Sequence, residues 1–370
     1  MSDVVADGGV PAAGPSVKVG RRGNVGIIEL NRPAAINALD HEMCLSIEQA
    51  LQQWESDDEV AAVLVCGAGE RGLCAGGDIV AIHADGVRLS AGEHLDTAAA
   101  DHAAASSSSG VFWRDEYRLN EYIANYPKPY VAIMDGIVMG GGVGISAHGN
   151  TRIVTDRTRL AMPEVGIGFI PDVGGTYLLS RVPDQLGTYL GLTAASITGA
   201  EAIALGLADH YLEADALDGF IDALATSSVD EALAQHSTTP PAAGLSEHRE
   251  WISTAFAADD ISAIIDNCLG AGTAFADRTA DRITAKSPVA LAVTLRSLRV
   301  AATEASLAES LRREYRVSLR ALQHPDLAEG IRAQVIDKDR NPNWQKPEAL
   351  TGADLDRFFA PLPADIELDL

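Results

Sequence analysis

Apolar and polar positions follow two rhythms along this chain, and the change of rhythm divides it. Over 16–31 (SVKVGRRGNVGIIELN) two β-rich runs flank Arg22-Gly23-Asn24, which predicts a hairpin. Asp40 then precedes Met43, Ile47, Ala50, Leu51 and Trp54, the spacing of one helix face with Asp40 as its cap. The run 60–66 (VAAVLVC) is almost wholly apolar, as expected of a parallel strand covered on both faces. Further strands are predicted at 130–134 and 151–155, with helices between them. Strand, glycine loop and helix in succession make an α/β pattern.

After Leu212 the β signal almost vanishes. Residues 213–236 read as helical, 237–247 (STTPPAAGLSE) as a linker or loop, and 250–340 as successive amphipathic helices. The predicted organisation is therefore a disordered tail over 1–15, an α/β core over 16–212 and a helical C-terminal region over 213–370. Within the core, 85–110 includes TAAADHAAASSSSG and is expected to be a flexible surface insertion. The run 130–147 (YVAIMDGIVMGGGVGISA) is apolar enough to raise the question of a membrane span. Asp135 and its glycines make a buried strand followed by a glycine loop the better reading.

Composition narrows the functional classes. The 370 residues carry 28 Lys+Arg against 52 Asp+Glu, a net charge of −24. Such a surface disfavours both nucleic acid and anionic membranes as partners, so an anionic ligand needs a local basic patch. Four cysteines (Cys44, Cys66, Cys74, Cys268) without a CxxC pair suggest neither a disulfide framework nor zinc. The first residues lack a basic stretch followed by an apolar one, so no secretory signal is read there. The expectation is a soluble protein of a reducing compartment, the cytoplasm or an organelle matrix.

Several motifs compete for the chemistry. Gly67-Ala-Gly69-Glu-Arg-Gly72 matches a dinucleotide-binding GxGxxG, but no helix opens there and no acid-ended strand follows. Ser146 and His148 lie close in sequence without the spacing of a nucleophile elbow. Two other glycine clusters, Cys74-Ala-Gly-Gly77-Asp78 and Met139-Gly-Gly-Gly142-Val-Gly144, each follow an apolar strand. Backbone N–H groups from two such loops, aimed at one point, would polarise a carbonyl as an oxyanion hole; two tight packing turns are the plainer alternative. Over 160–175 Glu164 and Asp172 are the only charges among apolar, glycine and proline residues. Carboxyls in such surroundings have raised pKa values and suit acid–base work. In a predicted helix over 111–125, Glu116 shares a stripe with Phe112, Leu119 and Ile123.

The segments NRPAAINAL (31–39), CAGGD (74–78), KPYVAIMDGIVMGGGVG (128–144) and AMPEVGIGFIPDVGG (161–175) resemble the crotonase (enoyl-CoA hydratase/isomerase) superfamily. SPVALAVTLRSL (287–298), REYRVS (313–318) and LAEGIRAQVIDKDRNPNW (327–344) extend the likeness, most closely towards its branch that hydrolyses 3-hydroxyisobutyryl-CoA, as in valine breakdown. The resemblance implies a ββα spiral core with an α-helical C-terminal region. It implies an acyl-CoA substrate, Gly77 and Gly141 as oxyanion donors, and Arg32 or Arg71 as candidates for the CoA 3′-phosphate. Carried over by motif, Glu164 is nucleophile or general base, Asp172 positions water or the substrate hydroxyl, and Glu116 bonds that hydroxyl. Hydratases carry a first glutamate where this chain has Gly144, and glycine where it has Asp172, so hydrolysis fits better than hydration. No cofactor is implied, CoA being part of the substrate, and no metal site is expected. Crotonase-type trimers or hexamers are the implied assembly, unless the extended helical region caps the core. A hydratase or isomerase, a non-catalytic acyl-CoA binder and an NAD-dependent oxidoreductase remain the alternatives.

Overall fold

The computed structural model describes residues 14–90, 97–346 and 351–370. Strands β1 (Val17–Arg22) and β2 (Val25–Leu30) pair antiparallel about Gly23, whose φ of 58° suits the turn. The helix His41–Glu55 follows, its first turn capped by the Asp40 carboxylate, which accepts from Met43 N at 2.9 Å. β3 (Ala62–Gly67), β4 (Tyr130–Met134), β6 (Thr151–Thr155) and β9 (His210–Leu212) then add in parallel, giving the order β1-β2-β3-β4-β6-β9. Strands β5 (Ile137–Met139), β7 (Arg159–Ala161) and β8 (Ile197–Thr198) form a second, smaller sheet. The pairs β4–β5 and β6–β7 each place one strand in either sheet before the next helical segment, which winds this part of the core as a spiral.

The apolar run of β3 is covered on both sides. Val63 and Val65 face the main core with Ile28, Leu30 and Met43, while Leu64 faces the other way with Val131, Ile133 and Ile153. That second face is closed by Phe220, Leu224, Ala232 and Leu233 from the helices Leu217–Leu224 and Val229–His236. Further on, the helix Leu307–Ala321 buries Leu311, Glu314, Tyr315 and Ser318, so polar groups enter the core beside apolar ones. The apolar run at 130–147 is divided among β4, β5 and the short turn Gly141–Gly144. No described helix is long and apolar enough to cross a membrane.

The expected flexible insertion at 85–110 is not what the described residues form. Ile79–Ser90 and Thr97–Ala105 are helices, and Ser107 Oγ accepts from Gly110 N at 3.0 Å to cap the helix Ser108–Ala124. Alanines and serines without an amphipathic period are here helix filler and caps. They are anchored by Asp101, which is 1% exposed and pairs with Arg320 at 3.0 Å. Residues 91–96, and all but the last two of the expected tail at 1–15, lie outside the described residues.

Candidate active site

The two glycine clusters meet because of one strand register. Cys74 forms a parallel bridge with Val138, so the chains run on side by side to Gly77 and Gly141. A Cβ on Gly141 would stand 3.6 Å from the Gly77 amide nitrogen. Among the described residues neither amide donates to a protein acceptor: the bridge beside Gly77 uses the N–H groups of Leu39 and Asp78, and Gly141 opens its short helical turn.

The carboxyls converge on the same point. Glu164 starts a 3-10 turn after β7, Glu116 projects from the helix Ser108–Ala124, and Asp172 precedes the helix Gly175–Ser180. Their exposures are 6%, 2% and 6%. A Cβ on Gly140 would lie 2.9 Å from Glu164 Oε1, and one on Gly141 would lie 2.7 Å from Glu116 Oε1. Gly140 also has φ 49° and ψ −121°, a conformation L side chains avoid, so both space and backbone require glycine beside these acids.

Burial dominates the electrostatics. It pushes Glu116 and Glu164 well above the usual carboxyl range, and the nearby Asp172 charge pushes them further. Asp172 itself is raised by burial to about 7, restrained by a hydrogen bond from Tyr117. Glu116 Oε1 and Glu164 Oε2 are buried with no partner among the described residues. A buried carboxyl oxygen without a partner is costly.

These groups line a cavity of about 380 Å³. Trp113 and Phe169, stacked with centroids 5.3 Å apart, supply an apolar wall, and Leu327, Ile331 and Gln334 close it from the C-terminal region. Among the described residues Lys286 is its one cationic lining residue, with its pKa pushed down by burial and by Arg282.

The structure thus brings together Gly77, Gly141, Glu116, Glu164 and Asp172. Ser146 and His148 are occupied elsewhere: Ser146 Oγ donates to Gly142 O at 2.6 Å and His148 Nε2 to Val173 O at 2.7 Å. The chain after Gly67 enters bridge pairing with Gly136 rather than a helix, unlike a dinucleotide fold. Arg32 is tied to Asp78 at 2.9 Å and Asp40 at 3.4 Å, whereas among the described residues Arg71 reaches only Ala34 O at 3.5 Å. Among the described residues no group of three or more His, Cys, Asp or Glu is arranged to hold a metal ion.

Three residues escaped the sequence reading. Tyr117 donates to Asp172 Oδ2 at 2.8 Å, and Ser318 Oγ lies 2.8 Å from the Tyr117 oxygen. Glu314 accepts from Gly174 N at 2.7 Å and Thr176 N at 3.1 Å, pinning the backbone after Asp172. The only signal was the place of Glu314 and Ser318 within REYRVS (313–318) and of Tyr117 beside Glu116.

A family profile described as Enoyl-CoA hydratase/isomerase matches residues 25–359. The chain belongs to that family. It is 38% identical over 364 residues to the mitochondrial 3-hydroxyisobutyryl-CoA hydrolase of Danio rerio, covering 95% of this chain and 91% of the other. The Homo sapiens protein of the same description is 35% identical over 363 residues, with coverage of 95% and 90%. Among solved structures, a carnitinyl-CoA dehydratase from Mycobacterium thermoresistibile superposes with TM-score 0.87 at 50% identity, covering 96% and 99%. An enoyl-CoA hydratase from Rhodobacter sphaeroides 2.4.1 gives 0.85 at 37%, covering 96% and 100%. The fold is accordingly crotonase-like, an α/β spiral with an α-helical C-terminal region.

Proposed function

We propose that this chain hydrolyses 3-hydroxyacyl-CoA thioesters, 3-hydroxyisobutyryl-CoA first and 3-hydroxypropionyl-CoA beside it. The carrying observation is that Glu116, Glu164 and Asp172 surround the Gly77–Gly141 pair while residue 144 offers no side chain. Relatives described as hydrolases, matched over nine-tenths of both chains, support the reading.

In this mechanism the Gly77 and Gly141 N–H groups bind the thioester oxygen and stabilise the oxyanion formed on attack. Glu164 either attacks the carbonyl carbon, giving a mixed anhydride that water then opens, or takes the proton of an attacking water. The carbon–sulfur bond breaks, sulfur keeps the pair and is protonated, and water's oxygen ends on the acyl carbon. Asp172 positions the water or the 3-hydroxyl, and Glu116 accepts from that hydroxyl. CoA is part of the substrate and no other cofactor is required. A crotonase-type trimer or hexamer, a place in valine breakdown and a cytoplasmic or organelle-matrix location belong to the same reading.

A second reading, hydration of an enoyl-CoA with Glu164 serving both proton transfers, is favoured by the descriptions of the two solved neighbours. A panel of acyl-CoAs assayed in parallel for free thiol and for the enoyl chromophore decides between them. Thiol release from 3-hydroxyisobutyryl-CoA is expected; chromophore loss without thiol would replace hydrolysis by hydration.

A further inference from the structure

A side chain at residue 144 and the corner that carries Asp172 compete for one space. A Cβ built on Gly144 would stand 2.7 Å from Val173 Cβ and 2.9 Å from Asn120 Nδ2, closer than Cβ atoms are found to approach. Val173 and Asn120 are 1% and 0% exposed, so neither can swing into solvent. Val173 is moreover held at φ 51°, a left-handed conformation that is a strained outlier for a β-branched residue.

Such strain persists only where the surroundings over-determine it. Here His148 Nε2 donates to the Val173 carbonyl at 2.7 Å, Glu314 takes the Gly174 N–H at 2.7 Å, and Gly175 N donates to Asp172 O at 2.6 Å. The backbone on either side of Val173 is fixed, and its side chain fills the notch that the bare Gly144 leaves open. We infer that Gly144 is a socket for Val173 and that this interlock positions Asp172 in the cavity. Gly144 is then a positive requirement of the site and not merely the place of a missing carboxylate. A side chain rooted at 144 and the valine at 173 exclude one another.

The inference rests on the role proposed for Asp172, but its test separates the two. Gly144→Ala, Val173→Gly and the double variant are compared in the full-length chain by thermal melting and by kcat and KM for thiol release. Gly144→Ala is expected to melt lower and to lose about 100-fold in kcat, the cost of a misplacement of about 1 Å. KM should move by less than about threefold, because Val173 acts on the positioning of the acid and not on CoA binding. The double variant should melt above Gly144→Ala and recover part of its kcat, since the two residues share one space. Additive melting shifts overturn the interlock whatever the activity, and wild-type kcat in a folded Gly144→Ala overturns its positioning role. Should Gly144→Ala not fold, Val173→Gly carries the test: the open notch should lower kcat at nearly constant KM, and an unchanged kcat refutes the inference. If the wild-type protein released no thiol, the hydrolase reading would fall; coupled melting with Asp172 displaced in a Gly144→Ala crystal structure would still uphold the interlock.

Discussion

Tyr117 donates its one hydroxyl proton to Asp172 Oδ2 at 2.8 Å, with Ser318 Oγ at 2.8 Å on its other side. A phenol has a single hydrogen to give, so the Ser318 hydroxyl must donate into the Tyr117 oxygen. Residues from a core helix, a C-terminal helix and the loop after Phe169 thereby form one directed chain that ends on a carboxylate. All three are buried, where such bonds are stronger than in water. The bond from Tyr117 favours the ionised form of Asp172 and restrains the rise that burial imposes, to about 7.

Tyr117→Phe should therefore move a pH profile and not only its height. Removing the donor raises the Asp172 pKa above about 7. If turnover needs the ionised acid, the rising limb of kcat/KM shifts to higher pH by roughly one to two units, since a bond to a charged group is worth about 1.5–3 kcal/mol. Ser318→Ala keeps the Tyr117–Asp172 bond and should shift the limb less. A Tyr117→Phe profile that superimposes on the wild type after scaling would show that Asp172 ionisation does not govern turnover.

Glu164→Gln should cost about 10²–10⁴-fold in kcat, the range for loss of a positioned acid or base. KM should change little, because glutamine keeps the shape of the side chain against Gly140. Steady-state thiol release measures both constants. Wild-type turnover in this variant would take Glu164 out of the mechanism.

What the sequence makes legible here is periodic or compositional. The run at 60–66, the Asp40 cap and the inward stripe of Glu116 follow from spacing, and two lone charges in an apolar segment single out Glu164 and Asp172. Tyr117 is adjacent to Glu116 on the same helix and reads as an ordinary core aromatic. Ser318 and Glu314 sit on a helix about 200 positions further on, and no period states which faces of distant helices meet. The left-handed φ of Val173 is imposed by His148, Glu314 and Gly144, none of them local in sequence. At 85–110 low complexity suggested mobility because the partner that orders Asp101 is Arg320, 219 residues away.

That buried pair gives a stability prediction. Arg320 and Asp101 side chains are 3% and 2% exposed, and Arg320 also donates to the carbonyls of Phe358, at 3.3 Å, Ala360, and Pro361, at 3.2 Å. Arg320→Met leaves the buried Asp101 charge without a counter-charge, held only by the Gln323 amide at 3.2 Å among the described residues, so unfolding in urea should show a loss of about 3–5 kcal/mol. The double variant Arg320→Met/Asp101→Leu should be less destabilised than Arg320→Met alone, because no uncompensated charge remains. A double variant no more stable than the single would mean that the cost lies in the released 358–361 segment instead.

Asp172→Asn should trade activity for stability, and the trade should depend on pH. The folded protein holds the Asp172 pKa at about 7 against an ordinary value of 3.8, so between these pH values the native state binds more protons than the unfolded chain. Stability from this group is whole below about pH 4 and is lost as pH rises through 7. Asparagine can still accept from Tyr117 yet never ionises, so it escapes that loss. The stability gap between Asp172→Asn and wild type should therefore widen from pH 5 to pH 7 and level off above it, with about 4 kcal/mol as its upper bound. Asp172→Asn also removes the charge that pushes Glu116, Glu164 and Glu314 upward, so the gap reads Asp172 together with the acids it couples to. Chemical denaturation at intervals of pH measures it, with thiol release followed in parallel. A widening gap together with lost turnover identifies Asp172 as an acid kept ionised for chemistry against the preference of its surroundings; a gap constant from pH 5 to 8 would mean that burial does not perturb it.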